Sequence, residues 1–140
     1  MTPGAGTRVA ALPAGVVDVW RVRLLPPALP LPRLLDTLDD AERAQAARRG
    51  TNAEPGIAAH GALRIILAGY LGVEAKTLRF ANDTLGKPHL ADRTTLEFSL
   101  THSDTLALVA VASDRAVGAD LERVRDDVDI EAVTREFLSP

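Results

Sequence analysis

The 140-residue sequence predicts an α+β domain: a mainly antiparallel sheet of three or four strands, with one long helix packed on it. Two stretches carry that expectation. Residues 98–122, FSLTHSDTLALVAVASDRAVGADLE, read as three consecutive strands, with a β-branched apolar run before Ser113, a turn at Asp114-Arg115 and then a segment of period two. Upstream, Ile57, Leu63, Ile66, Leu67, Tyr70 and Leu71 fall at helical spacing, so a helix from about Glu54 or Pro55 to Tyr70 buries one stripe and closes at Gly72. With 46% apolar residues the chain is long enough for one core, and its length predicts one domain.

Taken in order, residues 1–15 are small and rich in Pro and Gly, and they read as a flexible leader without the basic and apolar regions of a secretory signal. Val16 to Leu24 alternates as a strand, and the prolines at 26, 27, 30 and 32 end it. A helical pattern begins at Pro32. Asp39 followed by Glu42 has the spacing of a capping box for a helix reaching about Arg49, and Gly50 stops it. After the long helix, Thr77 to Phe80 reads as a short strand and Asn82 to Pro88 as a turn. Leu96 to His102 is the next strand. Asp129 to Leu138 reads as the start of a helix capped by Asp129, with Ile130, Val133 and Phe137 inward, and the closing Ser-Pro looks like an interruption rather than an end.

Composition narrows the chemistry. A net charge of -3 and a pI near 5.6 argue against a nucleic-acid surface, although Arg43, Arg48 and Arg49 cluster locally. Without cysteine there are neither disulfides nor thiolate metal sites, and three distant histidines give no zinc spacing, so any metal would be bound through oxygen. The longest apolar run, near Ile65 to Leu71, falls far short of the roughly 20 residues that cross a bilayer. A cytoplasmic protein is the expectation.

Several polar residues stand where chemistry can be done. In the period-two segment Gly118, Asp120 and Glu122 share one face and Val117, Ala119 and Leu121 the other. Two carboxylates about 6.6 Å apart at their Cα atoms suit one hard cation, and equally suit a solvated face. Gly86-Lys87-Pro88 offers a tight turn with a cation for a phosphate, or only a turn. Thr101-His102-Ser103 ends a strand with groups that bind an anionic oxygen or merely cap a turn. Arg48, Arg49 and His60 have the same two readings, a basic pocket or an exposed helix end and a packed histidine. A serine hydrolase is disfavoured, since no Gly-x-Ser-x-Gly elbow exists.

Order and spacing say more than any of these motifs singly. Leu85-Gly86-Lys87-Pro88, Phe98-Ser99-Leu100-Thr101-His102-Ser103 and Val117-Gly118-Ala119-Asp120-Leu121-Glu122 together resemble the 4'-phosphopantetheinyl transferase superfamily, in its larger surfactin-synthetase-activating (Sfp) type. Val17-Asp18-Val19-Trp20 and Ala59-His60-Gly61-Ala62-Leu63-Arg64 extend the resemblance, which covers residues 16–140. It implies transfer of the phosphopantetheine arm of coenzyme A to a serine of an acyl or peptidyl carrier protein, in fatty acid, polyketide or nonribosomal peptide synthesis, with adenosine 3',5'-bisphosphate released. It implies a catalytic set of Asp120, Glu122 and His102, in which Asp120 and Glu122 bind Mg2+. Thr101 and His102 would contact phosphate oxygens, Gly86, Lys87 and Pro88 would line the nucleotide site, and Arg48 or Arg49 with His60 would meet the 3'-phosphate.

The chain departs from that family at Ser99, where asparagine is frequent, and at Ala119 and Leu121, where β-branched residues are usual. The family's Trp-x-x-Lys-Glu-Ala-like helix has no counterpart, because Lys-Glu occurs nowhere in the sequence. The resemblance is therefore to the N-terminal one of two pseudo-symmetric halves. It implies an active site completed by a C-terminal half-domain, or self-association through the face where that half would sit. A non-catalytic half-domain that binds coenzyme A or a carrier protein is the alternative.

Overall fold

Alternation of apolar residues builds the central sheet. In a computed structural model that describes residues 11–127 together with Glu131, Ala132 and Arg135, β1 (Val17–Arg23), β4 (Leu96–Ser103) and β5 (Leu106–Ser113) form an antiparallel sheet in the order β1-β5-β4. Phe98 pairs with Val111 and Leu100 with Val109, so the middle of one face of the hairpin is apolar, with His102 opposite Ala107 at its end. Asp104 makes its turn in the left-handed region at φ 52°, which aspartate tolerates. On that face Ala107, Val109, Val111 and Phe98 pack with Ala59, Leu63, Leu67 and Tyr70 of the long helix α3 (Glu54–Leu71) in the core. The α+β expectation holds.

The helices sit as their caps dictate. A short α1 (Leu31–Thr37) begins on prolines, and α2 (Asp40–Arg49) begins on the full capping box: Asp39 accepts from the Glu42 N–H at 2.8 Å, and Glu42 accepts from the Asp39 N–H at 3.0 Å. Gly50 ends α2 and Gly72 ends α3. At Gly61 the α1 and α3 backbones come so close that an added Cβ would lie 2.9 Å from Leu34 Cδ2. Asp18 and Trp20 of β1 fasten to Tyr70: the indole N–H donates to the phenol oxygen at 2.8 Å, and the phenol donates to Asp18 at 2.5 Å. Burial and the Asp18 hydrogen bond push the Tyr70 hydroxyl up to about 12.

Four expectations change. Residues 116–122 form no strand, because side chains of Lys87, Ser99 and Thr101 take up their backbone groups. The short strand is not Thr77 to Phe80; a 3-10 turn at Ala75–Thr77 precedes β2 (Phe80–Asn82), because Arg64 draws in the carbonyls of Ala75 and Leu78. The turn from Asn82 to Pro88 is the tip of a hairpin whose second strand, β3 (Pro88–Leu90), went unforeseen. On α3, Ile66 and Leu71 are only half-buried, since Ala58, Gly61, Arg64 and Ala68 take the inward positions. Leu12, within the expected leader, packs part-buried against the core. The expected cap Asp129 and the inward Ile130, Val133 and Phe137 lie outside the described residues.

Candidate functional site

Two helices and a strand end enclose one pocket. From α2 come Glu42, Gln45, Ala46 and Arg49, spaced i, i+3, i+4 and i+7; from the start of α3 and its cap come Ala53, Gly56, Ile57 and His60, spaced the same way. His102, at the end of β4, and Leu38 complete the wall. The structure thus brings Arg49, His60 and His102 together, with one permanent cation and two imidazoles at the first turns of an 18-residue helix whose N-cap, Ala53, offers no side-chain cap. The helix dipole favours an anion at that end. Arg48 is exposed and does not line the pocket, and Arg43 turns back to Asp36 and the Leu35 carbonyl.

Burial among these walls holds His60 below the usual histidine range; Glu42 opposes that shift, while His102, Arg64 and Arg49 reinforce it. Glu42 Oε1 lies 3.8 Å from His60 Nδ1. The other carboxylate oxygen, Oε2, accepts from Arg64 Nε at 2.7 Å. Arg64 is wholly buried, yet each side of its guanidinium is matched: Asp39 at 2.8 Å, the carbonyls of Ala75 and Leu78 at 3.0 and 2.8 Å, and the Phe80 ring 5.0 Å from its carbon. Sequence reasoning missed Glu42, Gln45 and Arg64. Glu42 and Gln45 sit on the same α2 face as Arg49, a spacing visible in the sequence but masked by the capping role assigned to Glu42.

The second cluster lies along residues 116–122. Val117, Ala119 and Leu121 are half-buried and Gly118, Asp120 and Glu122 exposed, so the faces alternate as the sequence predicts although no strand forms. Side chains replace the backbone ladder. The Ala119 N–H donates to Ser99 Oγ at 3.1 Å, the Leu121 N–H to Thr101 Oγ1 at 3.3 Å, and Lys87 Nζ to the Val117 carbonyl at 2.7 Å. Lys87 is presented by the hairpin tip, where Asp83 accepts from the N–H groups of Leu85 and Lys87 and Gly86 turns at φ 83°, with Pro88 starting β3. Successive residues of β4 point to opposite faces, so Thr101 serves this segment while His102 serves the pocket.

Asp120 and Glu122 are a two-carboxylate donor set. Among the described residues, no group of three or more His, Asp or Glu gathers to hold a metal on protein ligands alone. Mg2+ takes one or two carboxylates and completes its shell with phosphate oxygens and water, so two carboxylates are a donor set such an ion could use. Among the described residues no helix is long and apolar enough to cross a membrane.

Over 129 residues, 89% of this chain, the sequence is 40% identical to the 4'-phosphopantetheinyl transferase HetI of Nostoc sp.. The chain is a homologue of a 4'-phosphopantetheinyl transferase. It spans about half the length of that relative, 54%. No family model matches it. The α+β fold, with its antiparallel sheets, is consistent with one half of such a transferase.

Proposed function

We propose that this chain carries the coenzyme A-binding part of an Sfp-type 4'-phosphopantetheinyl transferase, which moves the phosphopantetheine arm of coenzyme A onto a serine of an acyl or peptidyl carrier protein. The observation that carries this reading is the convergence of Arg49, His60 and His102 on one pocket, with an exposed carboxylate pair held against the same strand end. Coenzyme A has two separated anionic groups, a 3'-phosphate and a pyrophosphate. The pocket suits the first and the Asp120–Glu122 face the second, with Thr101 at the junction and Gly86 and Pro88 shaping the nucleotide wall. Lys87, with its ammonium on the Val117 carbonyl, adds positive charge near the pyrophosphate.

Asp120 and Glu122 would hold Mg2+. When bound, the ion supplies charge neutralisation for the phosphates and the departing bisphosphate. Arg49, His60 and His102 bind and orient the nucleotide by its 3'-phosphate, so that the pyrophosphate lies along the Asp120–Glu122 face. The carrier serine oxygen then forms a bond to the β-phosphorus as the bond to the bisphosphate oxygen breaks, and the serine proton passes to a base. Because Lys-Glu occurs nowhere in this sequence, the base and a second lysine would come from a C-terminal half-domain. The reaction belongs in the cytoplasm, in fatty acid, polyketide or nonribosomal peptide synthesis.

Mass spectrometry of a carrier protein incubated with coenzyme A, Mg2+ and this chain tests the proposal, with and without the part of the Nostoc relative that this chain does not span. A phosphopantetheine mass gain is expected in the mixture and should vanish with Asp120→Ala. Full transfer by the Asp120→Ala mixture would remove the metal assignment. Coenzyme A binding without any transfer in the mixture would favour the non-catalytic half-domain.

A further inference from the structure

We propose that Lys87, Ser99 and Thr101 are positioning residues that fix the register of residues 117–121 and thereby decide which side chains of that segment face outward. The proposal rests on the metal-binding reading above only for what the outward carboxylates do. Ser99 and Thr101 stand two apart on β4, and the N–H groups they accept, from Ala119 and Leu121, also stand two apart. Both pairs therefore advance in step and in parallel. Lys87 engages the next alternate residue, through the Val117 carbonyl.

All three bonds fall on Val117, Ala119 and Leu121, the half-buried positions, and none on Gly118, Asp120 or Glu122. A slip of one residue would turn Asp120 and Glu122 against β4 and Ala119 and Leu121 to solvent, since side chains alternate with period two. In a sheet, backbone bonds common to every residue hold such a register. Here residues 117–121 have no place in the sheet, and the holding groups are two hydroxyls and an ammonium. The register is thus encoded in side-chain identity, and removing a hydroxyl frees the segment to slide. A segment that is only fractionally in register binds its ligand more weakly by that fraction.

Ser99 is the decisive position, because the proposed function gives it no substrate contact. On the full chain, Ser99→Ala should accelerate hydrogen exchange at the Ala119 amide by about two- to tenfold, the value of one neutral hydrogen bond, while the β4–β5 ladder amides keep their rates. Mn2+ affinity in the presence of coenzyme A, read by electron paramagnetic resonance, should fall by the loss of the in-register fraction, a smaller factor than the exchange shows, and Ser99→Thr should restore both. Unchanged exchange at Ala119 and Leu121 in a Ser99→Ala/Thr101→Ala double variant would overturn the proposal. So would faster exchange there with unaltered Mn2+ affinity. Faster exchange in a chain whose unsubstituted form binds no Mn2+ upholds the register and instead removes the metal role of Asp120 and Glu122.

Discussion

Arg64 shows how one residue links the core to the pocket. Its guanidinium is buried without loss because four oxygens and an aromatic face replace water, and two of those oxygens belong to the residues that cap α2. Arg64→Met would take a donor from Asp39, Glu42 and two carbonyls, and a destabilisation of about 3 kcal/mol is expected in urea unfolding. His60 responds to pH instead. Its folded value is lowered from 6.5, so the folded chain binds its proton less readily than the unfolded chain does. The stability this contributes is fully present above the unfolded value and is lost as pH falls below it. An anion in the pocket reverses the shift, since a nearby negative charge favours imidazolium. Adenosine 3',5'-bisphosphate should therefore bind more tightly, with proton uptake, as pH falls from about 8 to about 6.5. Calorimetry in buffers of different ionisation enthalpy reads that uptake, and His60→Gln should reduce it.

The elements differ in how openly the sequence declares them. α2 was legible at both ends because Asp39, Glu42 and Gly50 act on their own backbone neighbours, and a local bond needs no tertiary context. Asp39 nevertheless does two things, since Oδ1 caps the helix and Oδ2 meets Arg64. Asp39→Ala should cost about 1–2 kcal/mol in urea unfolding. Asp39→Asn, which still caps but loses the charge that meets Arg64, should recover part of that. The hairpin of β2 and β3 was hidden because three residues are too few to show a period and Pro88 argues against a strand, although the first position of an edge strand accepts proline. In residues 116–122 the sequence reports which faces are wet and dry. It cannot report what the backbone bonds to, and hydroxyls stand where a ladder was expected. The pocket was half legible for a similar reason: Arg49 and His60 declare themselves by charge, whereas the approach of His102 and the second role of Glu42 depend on how α2, α3 and β4 meet.

At the scale of the whole molecule, the sheet has two unlike faces. Asp18 and Trp20 of β1 turn toward α3 through Tyr70, so Val17 and Val19 turn away from it, and Val19 is 60% exposed at the sheet edge. Among the described residues β1 pairs only with β5, and an edge strand with apolar residues is a template for association. The homologous transferase is nearly twice as long as the aligned stretch, and on the function proposed above a C-terminal half-domain would cover such a face. One surface cannot serve two partners at once. If this chain both self-associates and pairs with a half-domain as proposed, the two should compete: light scattering should show mass rising with concentration for the chain by itself, and a 1:1 species of fixed mass once the part of the Nostoc relative outside the aligned stretch is added. Val19→Lys should weaken both together, because a charge at that edge is desolvated in either complex. If Val19→Lys abolishes self-association yet leaves the 1:1 species intact, the two contacts use different surfaces, and the β1 edge is not where the half-domains meet.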